Sequence, residues 1–258
     1  MTISMLKTAI KAAKKAGKVL EKYYNMSPEF EKVHHKGLHD LGSEVDVLAE
    51  NLVKKIIKKK FPLHNINAEE SGIENKNSEY TWFIDALDGT INFTRRTYPF
   101  CVSIGLTKNN VPIVGVVYDV LNKRLYYAEK GKGAFVNKKR ISVSKRERLN
   151  DCILVSDLTT RVKHHTKYFN MLKKVSKELL GIRITHSSAL NIALVAEGKY
   201  DVYLKNSIHW EDIIFGILLI QEAGGVVKQL DGSLVDINVK SIIAGNKKFV
   251  KKVLKRLK

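Results

Sequence analysis

Leu6, Ile10, Ala13, Gly17, Leu20 and Tyr24 recur in alternating steps of four and three, with lysines between them. That rhythm predicts an amphipathic helix over 3–24. Val45, Leu48, Leu52, Val53, Ile56 and Ile57 predict a second helix over 43–60, with Ser43 as its N-cap. The period then changes. Asn65 to Ala68 reads as a short strand ending at Glu69-Glu70-Ser71-Gly72, and Thr81 to Asp85 as another that runs into an acidic turn. Val102 to Leu106, Val111 to Val117 and Leu125 to Ala128 are separated by Asn109-Asn110 and Asn122-Lys123, which predicts antiparallel hairpins.

In the second half, strand and helix patterns alternate. Ile153 to Ser156 and Ile182 to Thr185 read as strands, 187–196 and 212–223 as helices, and Ser241 to Ala244 as a last strand before a basic helix from 246. Hairpins followed by this alternation predict an α/β (α+β layered) fold of mixed sheets covered by helices. There is no internal repeat, and 137–165 is the only candidate seam.

Composition changes this picture little. Hydrophobic residues make up 44% and charged residues 28%, values of an average globular protein. Two cysteines, Cys101 and Cys152, make no disulfide framework; they read as packing residues in a reducing, cytoplasmic setting. The longest apolar run, Ile213 to Ile220, is far short of the roughly 20 residues a membrane span needs. Lys7, Lys11, Lys14 and Lys15 interrupt any signal-peptide core. The helical period of that same segment favours a structural helix over a transit peptide.

Charge matters more. The net charge of +19 attracts polyanions and phosphorylated substrates over a long range. The lysines are nevertheless spread over Lys54 to Lys60, Lys138 to Arg148 and Lys247 to Lys258, without a nucleic-acid motif or interleaved aromatic residues. Solvated helix faces are the simpler reading, and nucleic acid is a partner that no motif supports.

The chemistry concentrates in Ile84-Asp85-Ala86-Leu87-Asp88-Gly89-Thr90-Ile91-Asn92-Phe93. Asp85 and Asp88 are hard oxygen donors suited to Mg²⁺. Gly89 lets backbone approach a phosphate closely, and amides of a helix opening at Thr90 can point at an anion. Alone, this is equally a turn with an Asp cap. Glu69-Glu70 at a strand end adds carboxylates that repel unless a cation or solvent separates them. Glu211-Asp212 precedes a helix, where acidic residues are also ordinary dipole complements. Asp40 and Asp46 form a fourth acidic pair, flanking Ser43.

Together these segments resemble the inositol monophosphatase family. The matching motifs are Glu69-Glu70-Ser71, Asp85 to Phe93, and Trp210-Glu211-Asp212 with Glu222-Ala223-Gly224-Gly225. The likeness runs from Lys15-Ala16-Gly17 to Ala244-Gly245-Asn246. It implies an αβαβα sandwich of mixed, largely antiparallel sheets, in a single catalytic domain over 1–258. The half 1–145 would carry most metal ligands, and the half 146–258 would complete the substrate site. It further implies Mg²⁺-dependent hydrolysis of inositol 1-phosphate by a metal-activated water, with two or three ions per site and Mn²⁺ as a substitute. Glu69, Asp85 and the Leu87 carbonyl match the first metal site. Asp85, Asp88 and Asp212 match the second, and Glu69 a weaker third. Gly89 and Thr90 match the phosphate cradle. Glu70, Thr90 and Asp46 match the network that activates water, and Lys36 the lysine of a loop beside the metals. Asp212 is preferred to Glu211 because its spacing to Glu222 is the family's. A homodimer and inhibition by lithium are implied as well.

The chain departs from the family pattern mainly on the substrate side. Ala86 replaces a proline, Glu211 separates the tryptophan from the aspartate, and Ile214 and Phe215 stand where small residues are expected. The stretch that faces substrate reads His186-Ser187-Ser188-Ala189, so Ser188 is its candidate contact. Lys205 replaces a glutamate that binds substrate hydroxyls. Asn92-Phe93 argues against the 3′-phosphoadenosine-5′-phosphate branch. His34, His35, His164, His165 and His209 lack metal-ligand spacing and read as surface or core residues. Two alternatives stay open: a fructose-1,6-bisphosphatase-type sugar phosphatase, in which Lys205 meets a second phosphate, and a basic nucleic-acid-associated regulatory protein with little catalysis.

Overall fold

The computed structural model describes residues 2–26, 33–37, 40–159 and 161–257, with 2–3, 33–37 and 40–42 described by backbone alone. The chain begins with α1 (Thr2–Tyr24), the hairpin β1 (Val33–Gly37) and β2 (Asp40–Ser43), and α2 (Glu44–Lys60). There follow β3 (Asn65–Ala68), β4 (Gly72–Glu74), β5 (Tyr80–Asp88), the short α3 (Thr90–Thr94), β6 (Cys101–Lys108), β7 (Val111–Asp119), β8 (Arg124–Glu129), β9 (Gly133–Val136) and β10 (Lys139–Arg140). The remainder is β11 (Ile153–Ser156), α4 (His165–Ser176), β12 (Gly181–Ile184), α5 (Ser188–Ala196), β13 (Val202–Lys205), α6 (Ile214–Glu222), β14 (Val226–Lys228), β15 (Ile242–Gly245) and α7 (Lys247–Leu257).

Two sheets organise these elements. The first has the order β10-β9-β8-β7-β6-β5-β3-β4 and is antiparallel except for the parallel pair β3/β5. The second has the order β12-β11-β13-β15-β14, with β11 parallel to both β12 and β13. Helices α1 and α2 cover the outer face of the first sheet. Helices α5 and α6 are buried between the sheets, and α4 and α7 cover the outer face of the second. The result is the five-layered αβαβα arrangement expected above. Its apolar faces explain the sequence pattern: α6 is buried nearly all round, as its apolar run requires. Among the described residues no helix is long and apolar enough to cross a membrane.

Tertiary packing shifts some expectations. On α1 the buried line runs through Met5, Ala9, Ala12, Ala13, Ala16 and Leu20, while Leu6 and Ile10 are half-buried at its edge. Leu48, expected on the inner face of α2, is 47% exposed. Ser43 does stand at the N-cap of α2, where its N–H donates to the Asp46 carboxylate at 2.9 Å.

The bulky Ile214 side chain and the Phe215 backbone are accommodated by the first sheet. Gly105 and Gly115 face each other across β6 and β7. A Cβ on Gly105 would stand 2.5 Å from Ile214 Cγ2, and one on Gly115 would run into the Phe215 carbonyl. The two glycines therefore form a hollow in which the first turn of α6 rests directly on the strands.

Candidate active site

The pocket lies where the carboxyl ends of parallel strands from both sheets meet, the usual place for a ligand crevice in such sheets. In the first sheet, β3 and β5 run parallel with Ala68 beside Ile84, so the next residues, Glu69 and Asp85, are neighbours. The Glu69 N–H donates to the Ile84 carbonyl at 3.1 Å. In the second sheet, β12, β11 and β13 deliver His186, Asp157 and Lys205. The cavity they enclose measures about 400 Å³.

Asp85 and Asp88 both reach this cavity because β5 is irregular. Residues three apart on a regular strand point to opposite faces. Opposite Asp85 stands Ser103, and opposite Asp88 stands Cys101, so β5 spends one extra residue between them. This bulge turns the second carboxylate to the side of the first. Strand β5 therefore runs through the signature instead of ending before it. Gly89 follows at φ 94°, and a Cβ there would lie 2.7 Å from the Pro99 carbonyl oxygen. Glycine is thus required by both conformation and space. The helix opened by Thr90 has only five residues.

Of the residues singled out from the sequence, Glu69, Asp85, Leu87, Asp88, Gly89, Thr90, Ser188, Lys205 and Asp212 line the pocket. Glu70 and Asp46 are not on its wall. Asp46 is buried in the cap of α2, where its Oδ2 accepts the Ser43 N–H at 2.9 Å. Its charge still acts on Asp85. The Glu70 and Ser71 N–H groups donate to the buried Glu50 carboxylate at 2.8 and 3.1 Å, which fixes the acidic turn from beneath. Lys36 lies on β1 and Asp40 on β2, and their side chains are outside the described residues.

Burial pushes the Asp85 carboxyl well above the ordinary carboxylate range, and the charges of Glu69 and Asp88 push it further. Burial lifts Asp88 to about 6, even though the Ser187 hydroxyl favours its charged form. Asp88 is held by the start of α5. It accepts from the Ser187 hydroxyl at 2.6 Å, the Ala189 N–H at 2.9 Å and the Ser188 N–H at 3.2 Å. The Leu87 carbonyl accepts from the Thr90 hydroxyl at 3.1 Å. Asp212 Oδ2 accepts the His209 N–H at 3.1 Å.

Carboxylates crowded in this way are all ionised near neutral pH only with cations among them. Their oxygen-only chemistry fits a hard divalent ion such as magnesium. Among the described residues no three such side chains stand as a closed ligand set; they form an open wall.

Several lining residues carry no sequence motif. Buried Asp157 accepts from the Ser187 N–H, the Asn191 amide, the Ser188 hydroxyl and the Tyr203 hydroxyl at 2.8–3.2 Å, and so pins the start of α5. Arg161 and His209 touch each other at the rim. His209 therefore faces the cavity, whereas spacing alone marked it as an ordinary surface or core residue. Lys205 donates to the Ser188 hydroxyl at 3.0 Å. Glu222 works elsewhere: it accepts the Gly131 and Gly133 N–H groups at 2.7 Å and secures the β8–β9 turn.

This fold and this acidic pocket are those of a phosphatase class whose sequence profile matches residues 2–258, and the chain belongs to that class, the inositol monophosphatase family. It is 36% identical over 256 residues to the Nus factor SuhB of Escherichia coli K12, covering 98% of this chain and 96% of that one. It is 38% identical over 243 residues to a fructose-1,6-bisphosphatase/inositol-1-monophosphatase of Aquifex aeolicus, covering 94% and 90%. The crystal structure of the extragenic suppressor protein SuhB from Bartonella henselae superposes with a TM-score of 0.95 at 34% identity, covering 99% of this chain and 98% of that one. The Thermotoga maritima inositol monophosphatase gives 0.90 at 32%, covering 98% and 96%.

Proposed function

We propose that this protein is a Mg²⁺-dependent phosphoric monoester hydrolase whose substrate is inositol 1-phosphate or a closely similar cyclitol or sugar phosphate. The observation that carries the reading is the acidic wall, where Glu69, the β5 pair Asp85 and Asp88, and Asp212 arrive from three separate segments at one cavity. In this reading Glu69, Asp85 and the Leu87 carbonyl hold one ion, and Asp85, Asp88 and Asp212 a second. Glu69 serves a weaker third, and Mn²⁺ is an acceptable substitute. When bound, the ions supply charge neutralisation and an activated water.

The chain's own groups do the rest. The Gly89 and Thr90 amides cradle the phosphate, and the Thr90 hydroxyl turns from Leu87 towards the attacking water. Glu70 and Asp46, set behind the wall, are the further members of that water's network in the family pattern, while Ser188, Lys205 and Lys36 face the organic part of the substrate. Positioning and charge neutralisation suffice for phosphoryl transfer, and no protein nucleophile is needed. The half 1–145 supplies most ligands and the half 146–258 the substrate wall, in one catalytic domain. A homodimer, a cytoplasmic location and lithium inhibition belong to the same reading. Release of phosphate from inositol 1-phosphate, with and without Mg²⁺, tests it. No Mg²⁺-dependent release from any member of a cyclitol and sugar phosphate panel would overturn it.

A second reading, a phosphatase for sugar bisphosphates, is favoured by one observation. Arg161 and Lys205 line the pocket without a carboxylate partner in ion-pair contact among the described residues, so the substrate side offers cations to a further anionic group.

A further inference from the structure

We infer that the outer helix layer formed by α4 and α7 is a docking surface for the phosphate backbone of a nucleic acid, read without regard to base sequence. Helix α7 reads Lys-Lys-Phe-Val-Lys-Lys-Val-Leu-Lys-Arg-Leu and contains no acidic residue. Its apolar residues Phe249, Val250 and Val253 are buried against the second sheet. Every cation is left on the outward side. Lys248 pairs with Glu147, and Arg256 with Glu178. Lys247, Lys251 and Lys255 have no carboxylate partner among the described residues. They recur every fourth position, so they form a stripe with a rise of about 6 Å per step. Helix α4 packs alongside, is likewise free of acidic residues, and adds exposed Lys167 and Lys173, with Lys177 at its C-cap. The two helices thus present a face of cations without an acidic residue of their own.

The chemistry of this face selects among polyanions. A membrane would require a band of apolar side chains beside the lysines; those of α7 are buried or half-buried, and on α4 Phe169 alone of the large apolar side chains is exposed. A protein partner would require a cluster of aromatic or arginine anchors, whereas α4 and α7 offer Phe169 and an Arg256 already paired with Glu178, and lysine is depleted from such interfaces. Point charges on flexible stems, in a row and without specific side-chain geometry, suit a string of phosphates. The surface lies on the side of the second sheet away from α5 and α6, so it involves no residue of the phosphatase wall.

The experiment is an anisotropy titration of the full-length protein with a fluorescent single-stranded RNA of mixed sequence, between about 50 and 200 mM salt. Binding should weaken steeply with salt. The variant Lys247→Ala/Lys251→Ala/Lys255→Ala should bind at least about tenfold more weakly, with a salt slope smaller by about 2 to 3. Its melting temperature and its release of phosphate from inositol 1-phosphate should match the wild type. RNA binding absent at about 50 mM salt, or untouched by the triple substitution, would overturn the inference. So would a triple-sensitive affinity for anionic vesicles without affinity for RNA.

Discussion

Ser187, just ahead of α5, and Asp88, at the end of β5, are separated by 99 positions and joined by a hydrogen bond of 2.6 Å. The contact ties the helix layer between the sheets to the acidic wall. Two N–H groups of α5 converge on the same carboxylate. Asp88 is therefore a structural acceptor as well as a candidate metal ligand.

Asp88→Asn separates these roles only in part. The amide keeps one acceptor oxygen and turns an NH₂ towards groups that donate. We expect turnover to fall well beyond tenfold, or more than about 1.4 kcal/mol of barrier. We also expect folding stability to fall by about 1–3 kcal/mol. Phosphate release and urea unfolding check both; wild-type turnover in the folded variant contradicts the assignment.

Metal dependence is the second expectation. Exhaustive treatment with EDTA should abolish phosphate release, and Mg²⁺ should restore it, with Mn²⁺ a partial substitute because both favour oxygen ligands. Full activity in the chelated protein would show that the acidic wall works without a divalent ion.

Lys205 offers a test of substrate choice. A lysine donates and cannot accept, so it cannot receive hydrogen bonds from sugar hydroxyls as a glutamate does. If it meets a second anionic group, Lys205→Glu should shift the kcat/KM ratio from fructose 1,6-bisphosphate towards inositol 1-phosphate by roughly tenfold or more, the size of one lost charged contact. An unchanged ratio would mean that Lys205 does not read substrate and would leave the inositol phosphate reading ahead.

Stability should respond to acid through Glu74. Lys54 and Lys58 reach its carboxylate at 2.7 and 2.6 Å and hold it at about 2, below its ordinary 4.5. A lowered carboxylate pKa stabilises the fold above the unfolded value, and that contribution disappears as pH falls from about 4.5 to about 2. Glu74→Gln should therefore cost about 1 kcal/mol or less at pH 7, because the group is partly solvated. The difference from wild type should vanish near pH 2. Urea unfolding across this range is the measurement, and a gap that persists in strong acid would count against the ion pairs.

Much of this molecule was legible from periodicity alone. The strands at 65–68 and 153–156 lie where alternation put them, because each is short, apolar and bounded by turn residues. The asparagine-containing turns at 109–110 and 122–123 fell in place because Asn109, Asn110 and Lys123 adopt positive φ. The hairpin β1/β2, the edge strands β4 and β10, the short strand β9 beside β10, and helix α4 carried weaker signals, since such positions are stabilised by pairing and burial more than by local preference. In the site, the signature residues were readable from their motif. Asp157, Arg161, His209 and Glu50 were not, because each acts through a partner distant in sequence. The stretch Ser156-Asp157 did carry a usable sign: a carboxylate directly after a buried strand needs donors, and the only place to find them is another segment.

The hollow made by Gly105 and Gly115 has a consequence for how this sequence can vary. Bulk on α6 and emptiness on the sheet are two halves of one contact. Exchanging either half alone is penalised: alanine at Gly105 collides with Ile214, and alanine at Ile214 leaves a void. Only paired exchange returns the chain to the family's small-on-helix arrangement, so the positions are bound by epistasis. Asp212 stands two residues before Ile214, so a change on the interior strands that shifts the start of α6 would reach the pocket while every acidic residue stays in the sequence.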